Sequence, residues 1–287
     1  MRLPDSFTER MNEYFRRENI PSEGFFESFD NEPLKGIRIN RNKVAPEEYE
    51  DVLKDLEEET DKVSWCDSGF YTKNESSGND PYYHAGVYYP QEPSAMLPAQ
   101  IASAKPGEFV LDMCAAPGGK TAMMAEMMDN RGSITACDVH PHRLELIDAA
   151  AERLGIDIIE TRLADGTEYD ETMAEQFDCV LADVPCSGLG VMSTKPEIRF
   201  HVDDESISEL PEIQKAVLSN AVRYTKPGGK ICYSTCTLDR PENEDIIDDL
   251  LTKHGGLVRI VEMRTILPYN NVIGFFFCII EKMHECI

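Results

Sequence analysis

From residue 109 onwards, short apolar segments alternate with longer amphipathic ones, and this alternation restricts the fold more than any other feature of the chain. Strands are predicted over 109–113, 133–138, 157–161, 178–182 and 230–235, and helices starting near Gly119, Pro141, Ser206 and Glu242. Such a pattern is typical of a doubly wound α/β fold, a mostly parallel sheet with helices on both faces. The last two predicted strands, Val258 to Glu262 and Gly274 to Glu281, have no helix between them. They predict an antiparallel pair at one sheet edge.

The preceding segment predicts a smaller α+β domain. We expect a helix over residues 5–19, where apolar side chains recur at helical spacing, a strand over Ile37–Arg41, and an acidic helix over residues 46–59. We place a boundary near residue 85, which divides the chain into a small domain of residues 1–85 and a larger one of residues 86–287.

The composition favours a reduced cytoplasmic protein. The 287 residues include nine cysteines without a CxxC pair, and the first residues have no apolar stretch typical of a signal peptide. No apolar run approaches the roughly 20 residues of a membrane span. The formal net charge of −25 disfavours broad contact with nucleic acid, although it allows a local basic surface. We expect a monomer with no metal site and no membrane contact.

The first strand of the alternating region leads into a glycine turn that predicts a nucleoside site. Ala116-Pro117-Gly118-Gly119-Lys120 lets the backbone approach a ligand closely, and Asp138 ends the next strand about 20 residues later, where a carboxylate accepts hydrogen bonds from ribose. Asp165 follows the third strand. The glycine spacing fits neither a P-loop nor a dinucleotide motif. An adenosine held by two acids, without a phosphate, indicates S-adenosylmethionine as the cofactor.

Two cysteines lie just beyond later strands, at the sheet edge where ligands collect. Cys186 stands in Asp183-Val184-Pro185-Cys186-Ser187-Gly188 and Cys236 in Tyr233-Ser234-Thr235-Cys236-Thr237. Methylation of cytosine C5 needs a thiolate that adds to C6 and a group that pairs with N3, and Asp183 is a candidate for the latter role. We interpret the other cysteines of this region as buried apolar residues: Cys114, Cys137, Cys179, Cys232 and Cys278.

These motifs resemble those of the Sun-type RNA cytosine-5 methyltransferases, a family of class I methyltransferases. The resemblance covers roughly residues 30–283 and rests on Asp-x-Cys-Ala-Ala-Pro-Gly-Gly-Lys, Asp-x-Pro-Cys-Ser-Gly and Ser-Thr-Cys-Thr with a following Glu-Asn-Glu, in family order and spacing. The segment Gln91-Glu92-Pro93-Ser94-Ala95-Met96-Leu97 is most similar to the bacterial ribosomal RNA members.

The resemblance implies a role for each motif. The cofactor would lie against a loop made of Cys114, Ala115, Ala116, Pro117, Gly118, Gly119 and Lys120. Asp138 would bind its ribose, Asp165 would lie near its adenine, and Asp183 would lie between cofactor and target base. The residues alone favour Cys186 as the nucleophile, because Pro-Cys is the nucleophile motif of DNA cytosine methyltransferases. The resemblance instead implies that Cys236 attacks and Cys186 assists product release; we count Lys120 and Asp183 as further catalytic candidates.

Ribosomal RNA is the first expected substrate and tRNA the second. Two alternatives are an RNA-binding assembly factor without catalysis and a DNA cytosine-5 methyltransferase. The small domain is expected to bind RNA, and the expected basic footprint is Lys35, Arg38, Arg41 and Lys43, with Lys195 and Arg199 after the Pro-Cys motif. The chain departs from the family at Pro268-Tyr269, where many members have Pro-His, and it ends soon after Glu281-Lys282, where many bacterial relatives continue into an RNA-binding domain.

Overall fold

The computed structural model describes residues 2–31, 34–56, 61–73, 78–202, 205–269 and 272–284. The helices in these ranges are α1 (Asp5–Glu18), α2 (Tyr49–Asp55), α3 (Pro81–His84), α4 (Leu97–Ala102), α5 (Gly119–Met127), α6 (Pro141–Leu154), α7 (Glu205–Tyr224) and α8 (Glu244–His254). The strands are β1 (Lys35–Ile39), β2 (Gly69–Thr72), β3 (Tyr88–Pro90), β4 (Phe109–Asp112), β5 (Ser133–Asp138), β6 (Ile159–Leu163), β7 (Phe177–Asp183), β8 (Thr225–Thr235), β9 (Val258–Ile266) and β10 (Phe275–Lys282).

The large sheet has the strand order β6-β5-β4-β7-β8-β10-β9. The five strands β6, β5, β4, β7 and β8 pair in parallel, whereas β10 pairs antiparallel with both β8 and β9. The predicted doubly wound fold with an antiparallel edge is therefore confirmed. The order reverses between β4 and β7, and in open α/β sheets the crevice beyond the strand ends at such a reversal holds the ligand.

The central strands are covered on both faces, because successive side chains of a strand point to opposite sides. Leu111 of β4 and Val180 of β7 belong to a core that includes residues of α7 and α8. Val110 and Leu181 belong to a second core that includes residues of α4, α5 and α6. The near-continuous apolar sequence of β4 and β7 follows from this double burial. None of the helices in the described ranges is long and apolar enough to cross a membrane.

The element bounds differ from the sequence prediction at several places: β1 lies two residues earlier than predicted, β9 continues four residues further, and three further differences have a clear reason. Strand β6 begins at Ile159 rather than residue 157, and it is an edge strand with few apolar residues to mark it. Strand β8 begins at Thr225, where the sequence Pro-Gly-Gly reads as a turn but forms an irregularity within the strand. Helix α8 begins at Glu244, after a short 3₁₀ turn.

A second sheet precedes the large one and has the antiparallel order β2-β1-β3. Its third strand, Tyr88–Pro90, lies beyond the boundary expected near residue 85, so this sheet extends into the segment assigned to the larger domain. The predicted acidic helix is present as a 3₁₀ turn, Pro46–Glu48, followed by α2. Residues 57–59 of that prediction lie outside the described residues. The division into two domains stays a prediction.

Helix α1 packs against the loops that follow β7 and β8. Its buried residues Phe7, Met11 and Phe15 share a cluster with Leu189 and Leu238. Leu189 is three residues past Cys186 and Leu238 is two residues past Cys236. Helix α1 therefore packs against both of the loops that contain the cysteines.

Candidate active site

Three loops meet at the carboxyl edge of the large sheet. One follows β4 and contains the glycines, one follows β7 and contains Cys186, and one follows β8 and contains Cys236. Strands β7 and β8 are parallel neighbours in which Asp183 pairs with Ser234. This register brings the ends of the two strands side by side, and the two cysteine loops with them.

The loop after β4 is held tightly against β5 and α6. The amide of Ala115 donates a hydrogen bond of 2.8 Å to the carbonyl of Cys137, and that of Gly118 donates one of 2.8 Å to Ala115. Gly118 has a φ of +98°, and a Cβ atom there would lie 3.3 Å from the Cα of Ile147 in α6. Glycine is required at this position because a side chain would meet both backbone strain and the neighbouring helix.

Asp112, the last residue of β4, is a buried acid that the sequence interpretation did not assign. Its Oδ2 accepts a hydrogen bond of 2.8 Å from Thr121 Oγ1, whereas its buried Oδ1 has no hydrogen-bond partner among the residues that the structure describes. Burial raises the pKa of Asp112 to about 6. The sequence could have predicted a role for Asp112, because it is an acid at the carboxyl end of a strand, as Asp138 is.

Asp138 lies at the end of β5, as predicted, and is nearly buried. Its Oδ1 accepts a hydrogen bond of 3.0 Å from the amide of His140, and its Oδ2 lies 3.3 Å from Nη1 of Arg143. Arg143 also donates to the carbonyl of Ala116 at 3.0 Å. The carboxylate that is expected to bind ribose is therefore fixed to the glycine loop through one arginine.

Asp165 stands at the rim of a narrow, mainly apolar cavity. The cavity is lined by residues that include Met113, Cys137, Ala164 and Gly166. Asp165 Oδ1 accepts hydrogen bonds from the amide and the hydroxyl of Thr167, at 2.9 and 2.7 Å, which orient its side chain. Glu168 and Asp170 also line the cavity, and this combination of apolar and acidic side chains is compatible with an adenine ring and its amino group.

The sulfur atoms of Cys186 and Cys236 lie 3.2 Å apart. A hydrogen bond from Cys186 lowers the pKa of Cys236, assisted by the nearby charges of Lys120 and Lys195 and opposed by burial. The same bond raises the pKa of Cys186 well above its ordinary value, because a donor that loses its proton loses the bond. Of the two thiols, Cys236 is therefore the one that loses its proton more readily.

Lys120 and Asp183 complete this group. Lys120 Nζ lies 2.7 Å from Asp183 Oδ2, and Ser234 Oγ donates a hydrogen bond of 2.7 Å to Asp183 Oδ1. Although burial opposes it, the Asp183 carboxylate holds the pKa of Lys120 above its usual range. The structure therefore brings all four predicted catalytic residues to one place, where the lysine charge faces both the carboxylate and the thiolate.

Glu242 and Asn243 are buried beside the cysteines, although the sequence interpretation used them only as a family motif. Glu242 accepts a hydrogen bond of 2.9 Å from the amide of Ser187, and Asn243 donates one of 3.1 Å to the carbonyl of Thr237. Each of these bonds ends on a residue next to a cysteine. The sequence feature that could have identified Glu242 and Asn243 is that they are two consecutive polar residues shortly after Cys236.

Arg38 corrects the predicted basic footprint, because its side chain is completely buried. The guanidinium binds Glu126 of α5 in a bidentate pair with distances of 2.7 and 3.1 Å, and Nη1 donates to the carbonyl of Gly119 at 3.2 Å. It also contacts Gln91 Oε1. Arg38 therefore cannot contact RNA; it joins the small sheet to the glycine loop.

The other predicted basic residues are exposed on the surface: Lys35, Arg41, Lys43 and Lys195, with Arg199 half-buried. Lys43 Nζ already donates to the carbonyls of Ala85 and Arg153, at 2.7 and 2.8 Å. At the position where many family members carry histidine, Tyr269 packs beside Phe25 in the aromatic cluster of α1.

The strand order, the glycine loop and the acids beyond β4 and β5 define a class I S-adenosylmethionine-dependent methyltransferase. Within that class, the chain belongs to the RsmB/F family of 16S rRNA methyltransferases, the bacterial ribosomal RNA branch of the Sun family. The family profile described as 16S rRNA methyltransferase RsmB/F matches residues 99–274, and the profile of the N-terminal domain of RsmF matches residues 3–93. The predicted family and cofactor are confirmed.

The matched relatives are bacterial and archaeal. The chain is 34% identical to a probable ribosomal RNA small subunit methyltransferase B of Bacillus subtilis over 268 residues, which cover 87% of this chain and 60% of that protein. It is 33% identical to ribosomal RNA small subunit methyltransferase F of Vibrio cholerae over 262 residues, which cover 88% of this chain and 55% of that protein. The chain thus spans less than two thirds of these relatives.

Solved structures agree with the fold. A methyltransferase homologue from Pyrococcus horikoshii superposes with a TM-score of 0.84 at 28% identity, covering 98% of this chain and 95% of that one. NSun6 from the same organism, solved with SFG, superposes with a TM-score of 0.83 at 19% identity, covering 98% and 99%.

The residues present fit S-adenosylmethionine. Gly118 lets the loop pack against α6, and Asp112 keeps one buried oxygen that has no partner among the described residues, as a ligand amino group would require. The cavity beside Cys137 and Asp165 would receive the adenine. The loop Cys114 to Lys120, Asp138 and Asp165 would hold the cofactor.

Proposed function

We propose that this chain methylates C5 of cytosine in RNA, with ribosomal RNA as the substrate, through a covalent bond between Cys236 and C6 of the base. The observation that carries the proposal is the pair of sulfur atoms 3.2 Å apart, in which the pKa of Cys236 is lowered and that of Cys186 is raised. The ribosomal substrate is proposed because the related proteins are named as small-subunit rRNA methyltransferases. We further expect a monomer that works in the cytoplasm, where that RNA is made.

S-adenosylmethionine supplies the methyl group that the activated C5 accepts. The Cys236 thiolate adds to C6, and electron density moves through the ring towards C5 and N3. N3 becomes basic as this charge develops, and Asp183, which is paired with Lys120 and bonded by Ser234, is placed to relay a proton from Lys120 Nζ to N3. After C5 has taken the methyl group, the C5 proton passes to solvent and the N3 proton returns to Lys120 through Asp183. The bond between C6 and Cys236 Sγ then breaks, with its electron pair remaining on the sulfur.

Cys186 assists this last step. At 3.2 Å its S–H can donate a hydrogen bond to the sulfur of Cys236, and in that arrangement it stabilises the thiolate that departs from C6. The same hydrogen bond stabilises the thiolate before attack. A single donor therefore serves both the formation and the breakdown of the adduct, and breakdown is the step in which leaving-group stabilisation is needed most.

The test has two parts. Bisulfite sequencing of total RNA from cells with and without the gene should show a ribosomal RNA cytosine that loses its methyl group; loss in a tRNA would replace the substrate, and loss in neither would refute RNA methylation. With the identified RNA, Cys236→Ala should form no adduct and no product. Cys186→Ala should accumulate a protein–RNA complex stable to denaturing electrophoresis. A complex trapped by Cys236→Ala instead would reverse the two roles and favour Cys186 as the nucleophile.

A further inference from the structure

Glu242 is a fully buried carboxylate at the centre of a hydrogen-bond cluster between the two cysteine loops. Its Oε2 accepts bonds of 2.9 Å from the amide of Ser187 and 2.9 Å from Nε2 of Gln214, and its Oε1 accepts a bond from the hydroxyl of Ser187. A buried carboxylate is expensive unless several donors satisfy it. Here three donors do so, and none of them belongs to the four catalytic candidates.

These bonds hold the chain on both sides of Cys186. Ser187, the residue after it, bonds Glu242 through both backbone and side chain. Pro185, the residue before it, accepts a bond of 2.9 Å from the same Gln214 Nε2 that contacts Glu242. The backbone of Cys186 is therefore tied to Glu242 from both neighbours.

Asn243 does the same for Cys236. Its Oδ1 accepts a bond of 2.6 Å from the hydroxyl of Thr235, and its Nδ2 donates one of 3.1 Å to the carbonyl of Thr237. The two systems also meet directly, because the hydroxyls of Ser187 and Thr237 lie 2.8 Å apart. Two consecutive residues thus form hydrogen bonds to two loops that are fifty positions apart in the chain.

We infer that Glu242 and Asn243 are positioning residues that set the distance between the two sulfur atoms, with Glu242 placing Cys186 for product release and Asn243 placing Cys236 for attack. The inference rests on the proposed function, since it assigns each positioning residue to one of the two proposed steps. It predicts that two adjacent substitutions give opposite effects on the covalent adduct.

The expected phenotypes follow from which loop each variant loosens. Glu242→Ala frees the Cys186 loop, so the adduct should form and then persist, as in Cys186→Ala, with turnover reduced roughly 10- to 100-fold, the range that a misplacement of about 1 Å produces. Asn243→Ala frees the Cys236 loop, so adduct formation itself should slow by a similar factor and no complex should accumulate. A merely structural role would lower both steps together.

A conservative variant separates position from charge. In Glu242→Gln, the amide oxygen can still accept from Ser187 and Gln214, while the new NH₂ group can donate to the Ser187 hydroxyl, which then donates to Thr237. This variant should recover part of the turnover lost in Glu242→Ala. Glu244→Ala is the matched control, because Glu244 lies in the same motif while its Oε1 accepts a hydrogen bond of 3.3 Å from Thr265 of β9. It should behave as the unmodified protein.

The experiment mixes the full chain with substrate RNA and S-adenosylmethionine and follows adduct by denaturing electrophoresis and product by methyl transfer. Calorimetry with the cofactor verifies that each variant is folded. If Glu242→Ala does not fold, Ser187→Ala is tested in its place, because it removes one bond to Glu242 and one to Thr237. Ser187→Ala must then show the persistent adduct. Should Cys186→Ala itself trap nothing, the proposed function fails. Should Cys186→Ala trap the complex while the folded Glu242 or Ser187 variant does not, this inference is overturned.

Discussion

The Sγ atom of Cys186 lies 3.2 Å from that of Cys236, although the two residues are fifty positions apart in sequence. Their strands are adjacent and parallel, so the loops beyond them emerge side by side. Because the charge on one sulfur disfavours ionisation of the other at this distance, only one of the two thiols ionises easily. The opposite directions of their pKa changes are the consequence of this one contact.

The first prediction concerns the reactivity of Cys236 towards iodoacetamide. The thiolate reacts, and the hydrogen bond from Cys186 lowers its pKa, so the rate should rise with pH at a midpoint below the ordinary thiol value and be lost as pH falls through that midpoint. In Cys186→Ala the midpoint should move up, because the donor is gone. Cys186→Ser keeps an O–H donor and should hold it low. Peptide mass spectrometry measures the rate, and an unmoved midpoint in Cys186→Ala contradicts the assignment.

The second prediction concerns the ribose-binding role of Asp138. Removing hydrogen bonds from a charged acceptor costs about 1.5 to 3 kcal/mol, so Asp138→Ala should weaken S-adenosylmethionine binding roughly 10- to 150-fold. Calorimetry measures the affinity. Asp157→Ala is the control, because Asp157 precedes β6 and therefore lies at the amino ends of the parallel strands, opposite the carboxyl ends where the site lies. A folded Asp138→Ala protein with unchanged affinity would remove Asp138 from the cofactor site.

The third prediction concerns the buried pair of Arg38 and Glu126. Arg38→Met leaves the Glu126 carboxylate buried and unpaired, which should lower the free energy of unfolding by roughly 3 to 5 kcal/mol in urea titrations. Adding Glu126→Leu should restore much of that loss, since the unpaired charge is then removed as well. Arg41→Met, two residues beyond β1 on the surface, should change stability by less than about 0.5 kcal/mol. Additive losses in the double variant would show that the two residues are not coupled.

Arg38 also shows where sequence reasoning reaches its limit. The alternation Ile37-Arg38-Ile39 predicted β1 correctly, and a solvent-facing arginine is the ordinary reading of such a strand. The opposite face of this strand is instead covered by α5, which supplies Glu126 from 88 positions away. An ion pair between residues so far apart in sequence cannot be predicted from the residues around either of them. The one available hint was a single acid within the apolar helix sequence Ala122-Met123-Met124-Ala125-Glu126.

The large sheet was predictable because its central strands, such as β4 and β7, are buried on both faces and therefore almost continuously apolar. Strand β6 lacked that signal as an edge strand, and the first residues of β8 were obscured by Pro227-Gly228-Gly229. The candidate site was predictable where it follows strand ends, as for Asp138, Asp183 and Cys236. The contacts of Glu242 and Asn243 were not, since their partners are determined by how the loops fold back rather than by any period in the sequence.

The last prediction concerns the basic residues beyond Cys186. Lys195 is exposed and its charge acts on the Cys236 thiol, which places it near the expected path of the RNA backbone. Arg199 lies one short turn further on, with its guanidinium 4.7 Å from the centre of the Phe200 ring. If both contact phosphates, each contributes roughly −0.7 to −0.9 to the slope of log K against log salt.

Replacing Lys195 and Arg199 together by alanine should therefore weaken RNA binding and reduce the magnitude of that slope by about one to two units, while cofactor affinity stays the same. Filter binding at several salt concentrations measures the slope. Lys253→Ala is the control, because Lys253 lies in the last turn of α8, whose first turn faces the site, and pairs with Asp249 at 2.8 Å. If the double variant keeps the full slope, these two residues make no phosphate contact. The exposed Arg41, two residues beyond β1, then becomes the next position to test, since Arg38 is buried.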